Sequence, residues 1–186
     1  MNYENLLVEA EERGIIVKEK HMYPGLKGIY KNNKILINLN ASTDVEKRCI
    51  LSEEIGHHET SYGNLLDTND ITNRKQEIRA RRWGYEHTVK LTDLVKAYEY
   101  GAVNCFEIAE YINVTVQHLI DAINNYKKRY GIFTESENHF IYFEPYLKIE
   151  KKDSLFDYLY NITLIINFIS SMYEFTQYLF DLNNYL

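Results

Sequence analysis

The chain has 186 residues, 45% of them hydrophobic and 26% charged, with a formal charge of −6. That composition belongs to a globular chain long enough for a sizeable core, in one or two small domains. Two cysteines, Cys49 and Cys105, exclude a disulfide framework or a cysteine-rich zinc site and favour a reducing compartment, and the net acidity argues against nucleic acid as the main partner. Acids among the first residues, where a targeting segment needs bases, make the cytoplasm the expected location.

Between residues 3 and 13, Leu6, Leu7 and Ala10 recur at helical spacing, and Gly14 follows where a helix C-cap belongs. Residues 15–18, 28–30 and 34–38 are β-rich, and Lys31-Asn32-Asn33 turns the last two into a hairpin. Thr43 with Glu46 forms a capping box for a helix carried by Val45, Cys49, Ile50 and Ile55 to about His58. Asn73 and Gln76 make a second cap pair, opening a helix through Ile78, Ala80, Trp83 and Val89.

Three short helical patterns between residues 92 and 130, broken at Tyr100-Gly101 and Asn113-Val114-Thr115, outline a helix-turn-helix with Ala109, Asn113 and Leu119 at its core and Thr115 as a cap. A strand-like segment at 131–143 closes this unit. Between residues 91 and 130 acids outnumber bases by one, so a structural or protein-binding role is expected rather than strong DNA binding. From Ser154 the chain turns apolar, with 16 uncharged residues at 158–173, short of the roughly 20 that a bilayer helix needs. Packing back onto the module or homo-oligomer formation is the expected use of these C-terminal helices, because Asp157, Glu174 and Asp181 disfavour a membrane. The expected division is a first unit over 1–90, a helical module with hairpin over 91–145, and a hydrophobic helical extension over 146–186. The fold class is α+β, with a small antiparallel sheet.

The chemistry-bearing run is Glu53-Glu54-Ile55-Gly56-His57-His58. Glu53 and His57 are i and i+4 on one helix face and can reach a common ion, while Glu54, a fraction of a turn away, can reach a water on it. This is the logic of His-Glu-x-x-His helices, with Glu in place of the first His. Glu77, followed at i+3 and i+6 by Ala80 and Trp83, is a plausible third ligand from the next helix. Glu54 and His58 form a second i, i+4 pair that could hold an ion but leaves Ile55 where the base should be. By themselves these residues also fit an ordinary solvated face. His21, His87, His118 and His139 stand apart from other ligand types and read as surface or satisfied histidines. Arg79, Arg81 and Arg82 read as a solvated face beside Glu77, with pairing of one arginine to Glu53 as the alternative.

Leu6-Leu7 through Gly14-Ile15, Leu26-Lys27-Gly28-Ile29-Tyr30, Lys34-Ile35-Leu36-Ile37-Asn38, Glu46 through His58, and Gln76-Glu77-Ile78-Arg79-Ala80-Arg81-Arg82-Trp83 together resemble the ImmA/IrrE family of metallopeptidase-like proteins, over roughly residues 2–145. The resemblance implies a zincin-like (gluzincin) core, a bound zinc, and cleavage of a helix-turn-helix repressor that silences a phage or integrative element. It makes Glu54 the general base and His57 and Glu77 metal ligands, with Glu53 departing from the commoner His at the first ligand position. Two carboxylates and one imidazole make a weaker Lewis acid of the ion and tolerate manganese or iron. Activity is then expected to be weak, and a non-catalytic regulator that binds and displaces the repressor is the rival. The outer edge of the hairpin sheet is the expected groove for an extended peptide.

Overall fold

The computed structural model describes residues 2–60 and 70–152, with scattered positions between 159 and 173. The fold is α+β: among the described residues, six helices and two three-stranded sheets. Helix α1 (Tyr3–Glu12) is capped by a reciprocal Asn2–Asn5 box, and it ends as expected where Gly14 takes φ +73° and lets the Ile15 N–H reach Ala10 O.

Strands β1 (Ile16–Lys20), β2 (Gly28–Lys31) and β3 (Lys34–Asn38) form a sheet in the order β1-β3-β2. The expected hairpin is present, turned by Asn32 and Asn33 at positive φ. The sheet is not purely antiparallel, however, because β1 runs parallel to β3. The reason lies in β3, whose Ile35 and Ile37 are fully buried while β1 and β2 are only half-buried in alternation. The most apolar strand takes the centre, and two chain reversals then leave it parallel to the first strand.

Helix α2 (Asp44–Thr60) starts at the expected Thr43–Glu46 box, with Glu46 N–H to Thr43 Oγ1 at 3.1 Å, and runs two residues past His58. Helix α3 (Asp70–Thr88) begins ahead of the Asn73–Gln76 pair expected to open it. Leu51 and Ile55 of α2 pack with Tyr3, Leu6, Ala10, Ile35 and Ile37 into a first core, each fully buried side chain of this kind contributing roughly 1.5–3 kcal/mol.

Helices α4 (Leu91–Tyr100), α5 (Cys105–Ile112) and α6 (Val116–Tyr130) build the helix-turn-helix. Asn113 in the left-handed conformation makes the turn, Thr115 caps α6, and Ala109 and Leu119 are buried as expected. Helix α4 has Lys90 at its N-cap position, with no side-chain cap. Strands β4 (Phe133–Ser136) and β5 (His139–Tyr142) form the anticipated hairpin, and β6 (Lys148–Lys151) pairs with β5 to complete an antiparallel sheet. The module thus reaches beyond residue 145, into a stretch read as helical extension. The apolar run from Ser154 lies outside the described residues except for scattered positions, and no described helix is long and apolar enough to cross a membrane.

The second core, centred on Val95, Leu94, Leu119, Ala122 and Ile141, also takes Cys49 from α2 and Val89 beyond α3. Arg48, only 2% exposed, ties the two units: Nη1 donates to Ile112 O (3.1 Å) and Asn113 O (2.5 Å), and Nη2 to Thr88 O (3.3 Å). It satisfies carbonyls at the C-terminal ends of α5 and α3, where the helix dipole favours a cation.

Candidate functional site

Three glycines let the backbones around the Glu53–His58 run approach one another. A Cβ on Gly56 would lie 2.2 Å from Ala80 O, and one on Gly84 would lie 3.1 Å from Ser52 C and O, so α2 and α3 touch backbone to backbone. Ser52, Gly56, Ala80 and Gly84 are small residues four apart on each helix, which allows this seam. A Cβ on Gly28 would meet Ile50 Cγ2 at 2.6 Å and Glu54 Oε1 at 2.7 Å, so β2 lies directly over α2 at Glu54. Small residues at these positions were the available signal in the sequence.

The run then divides into two faces. Glu53 and His57 face α3. His57 Nε2 is 3.2 Å from Glu77 Oε2, and Arg81 bridges both carboxylates, Nε to Glu53 Oε1 at 2.6 Å and Nη2 to Glu77 Oε1 at 2.6 Å. The alternative weighed for the arginine cluster is therefore the one realised at Arg81, whereas Arg79 and Arg82 are exposed. Glu54 and His58 face β2. The Tyr30 backbone N–H acts on the Glu54 carboxyl by lowering its pKa, and the Tyr30 hydroxyl stands 3.0 Å from His58 Nδ1 with the rings edge to face. The second i, i+4 pair is thereby occupied by the hairpin.

Glu54 is 8% exposed. Burial, and after it the Glu53 and Glu77 charges, push its pKa up to about 8, outweighing the Tyr30 N–H and Arg81, which pull the other way. At neutral pH a carboxyl so placed is mostly protonated.

Beside Glu53 opens a cleft of about 490 Å³, of the size that ligand sites have. The α2 face at Glu46, Cys49, Ile50 and Glu53 runs along it, with Lys27 and Asn40 on one side and Gln117 and Asp121 on the other. Gln117 and Asp121 lie near the N-terminal end of α6, the end that reads bases in helix-turn-helix proteins. Here that end faces the first unit, and Asp121 would repel phosphate.

The remaining histidines are used structurally. His118 is buried, and its Nε2 lies 2.8 Å from Thr88 Oγ1, whose own proton goes to Gly84 O (2.7 Å). His118 Nε2–H is therefore the donor, and burial lowers its pKa to about 4. His87 stacks on Trp83 and meets Glu9 at 2.9 Å; His139 is buried with Glu99 at 3.8 Å; His21 is exposed.

The expected ligands Glu53, His57 and Glu77 are gathered at one place, and two carboxylates with an imidazole suit zinc, manganese or iron in donor type. Their arrangement does not: among the described residues no three or more His, Cys, Asp or Glu form a group that could hold an ion. The guanidinium of Arg81 lies between the carboxylates instead. In comparisons with known proteins, no family model matches the chain and no curated protein matches it.

Proposed function

We propose that the chain is a metal-dependent endopeptidase with a zincin-like core, acting in the cytoplasm on a helix-turn-helix repressor of a phage or integrative element. The observation that carries this reading is the meeting of Glu53, His57 and Glu77 across the α2–α3 seam, with the Glu54 carboxyl buried beside them under an edge strand. The repressor as substrate, and the mobile element it silences, rest on the resemblance to the ImmA/IrrE family.

Glu53, His57 and Glu77 would hold the ion once Arg81 withdraws. Zinc, or manganese or iron, would supply a Lewis acid there. Glu54 would take the proton of the attacking water on a carboxylate oxygen and return it to the leaving amine, a role its place beside Glu53 and under β2 suits. The peptide is taken as an added strand along the outer edge of β2, where the Tyr30 N–H already points, and its flank runs into the cleft beside Glu53. Pro substitutions at alternate positions of the bound peptide segment should block cleavage; unchanged cleavage would remove this edge from the reading. The C-terminal residues are assigned to self-association.

The deciding experiment measures metal content of the purified protein and of His57→Ala and Glu77→Ala, together with repressor cleavage by wild type and Glu54→Gln. Near one equivalent of metal, lost in both ligand variants, with cleavage lost in a folded Glu54→Gln, is expected. A wild type that stays metal-free when ions are supplied overturns the reading.

A second reading has its own support. With Arg81 bridging both carboxylates, each has a cationic hydrogen-bond partner without an ion, as a non-catalytic regulator that binds and displaces the repressor would have. Repressor displacement that survives Glu54→Gln would favour it.

A further inference from the structure

We propose that the outer face of α5 and the adjoining end of α4 form a docking surface for a basic, amphipathic segment of a partner protein. A lysine or arginine of that segment enters beside Glu107 and Glu110 over the Tyr100 and Tyr111 rings, and an apolar side chain covers Phe106. The surface lies apart from the α2–α3 seam, and no residue of the first unit lines it.

Helix α5 is apolar on two sides. Its inner face sends Ile108, Ala109 and Ile112 into the second core, so the core does not account for the aromatic residues on its outer face. There Phe106 is 73% exposed, and beside it stand Tyr100 at 78% and Val103 at 84%. Contiguous exposed apolar surface of this kind marks interaction sites. Phe106 with Glu110, and Glu107 with Tyr111, are i, i+4 pairs, so aromatic and acidic side chains adjoin along this face. The Tyr100 and Tyr111 rings meet at 5.0 Å, tilted by 39°, and with Glu107 and Glu110 they line a hollow of about 510 Å³.

Charge selects the occupant. Glu107 and Glu110 are like charges at i, i+3, and the bonds Glu107 accepts come from uncharged donors, Val103 N–H (2.7 Å) and Asn104 Nδ2 (2.8 Å). Among the described residues no ion pair reaches either carboxylate: Lys127 and Arg129 of the same module pair with Glu144 and Glu86, and Lys96, one turn before Tyr100, does not line the hollow. Two carboxylates beside two aromatic faces suit an organic cation, which the rings attract through their quadrupoles. The same carboxylates repel phosphate. A second copy docked face to face would oppose acid to acid, and residues 154–186 carry Asp157, Glu174 and Asp181 with no lysine or arginine.

The test measures binding of a fluorescein-labelled, amidated peptide of repeating Lys-Leu-Leu-Lys to the full-length protein by anisotropy at low salt. Glu110→Lys and Glu12→Lys are a matched pair, each reversing one exposed charge in the last turn of a helix, so they change the formal charge of −6 equally. Glu110→Lys and Phe106→Ala should each weaken binding about tenfold, Tyr100→Ala about threefold, and Glu12→Lys no more than about twofold. The peptide with every Lys replaced by Glu should not bind. Equal weakening by Glu110→Lys and Glu12→Lys overturns the proposal, because net charge alone would then hold the peptide. Absence of binding by wild type overturns it, as does equal affinity for the acidic peptide. A concentration-dependent dimer in sedimentation velocity that Phe106→Ala dissolves also overturns it, since the occupant would then be a second copy of the chain.

Discussion

Two pairs of side chains one residue apart on α2 experience opposite surroundings. Glu53 and His57 look across a seam at α3, where the carboxylates are part-exposed and bridged by an arginine. Glu54 and His58 look at β2, where the carboxyl is buried at a pKa of about 8 and the imidazole meets a tyrosine hydroxyl. The sequence chemistry of the two pairs is identical, a Glu and a His at i and i+4. What separates them is the partner each rotation of the helix presents, a charged helix on one side and a hairpin on the other. On one side Glu53 is thus paired with a guanidinium, and on the other Glu54 holds a proton into the neutral range.

Gly56→Ala should break the comparison altogether. The new Cβ would lie 2.2 Å from the Ala80 carbonyl oxygen, and backbone cannot rotate away as a side chain can. Helix propensity gains about 1 kcal/mol from the change, far less than the cost of parting two helices along their length, so a net loss of about 4 kcal/mol or more is expected. Chemical denaturation would measure it. Gly84→Ala is the internal control: its closest contact is 3.1 Å, so the propensity gain and the strain nearly offset, and stability should stay within about 1 kcal/mol of wild type.

Glu54→Gln sharpens the proton-holding side. The folded-state pKa of about 8 lies above the ordinary value of 4.5, so between those values the native state keeps a proton that the unfolded chain has released. The contribution of Glu54 to stability is therefore full below about pH 4.5, falls by about 1.4 kcal/mol per pH unit above it, and levels off past pH 8. The difference between wild type and Glu54→Gln, followed by urea unfolding from pH 4 to 9, should trace that descent, of order 3–5 kcal/mol in total. His118 tilts the other way: its lowered pKa of about 4 gives stability that is full above about pH 6.5 and is lost as pH falls toward 4. Its effect, about 3 kcal/mol, should persist unchanged in Glu54→Gln.

Much of this arrangement is legible along the chain, because its signals are local. The Thr43–Glu46 box, the Asn32-Asn33 turn, the Gly14 stop and the Asn113–Thr115 turn each act within four residues and sit where the sequence puts them. The i, i+4 pairing of Glu53 with His57 is local too, and the structure brings Glu77 to it. What is not legible depends on distant partners. The parallel β1–β3 pairing follows from competition for the sheet centre, and β6 is a short charged strand that only an existing β5 edge makes into one. Arg48 reads as a surface residue until carbonyls 40 and 64 residues away surround it. Arg81 belongs to the same class, since its bond to Glu53 exists only because two glycines let the helices touch.

Tyr30→Phe makes the smallest change and the finest division. The hydroxyl donates to Asn33 Oδ1 at 3.1 Å and meets His58 Nδ1 at 3.0 Å, so its loss should cost about 0.5–1.5 kcal/mol in a urea midpoint. The Tyr30 contribution to the Glu54 pKa comes from its backbone N–H, which phenylalanine retains. The slope of stability between pH 4.5 and 8 should therefore be that of wild type, shifted down as a whole. If the slope vanished with the hydroxyl, the raised pKa of Glu54 would be a property of the Tyr30–His58 contact. Burial under Gly28 and the two neighbouring carboxylates, which belong to the seam and the strand and not to the phenol, predicts that it survives.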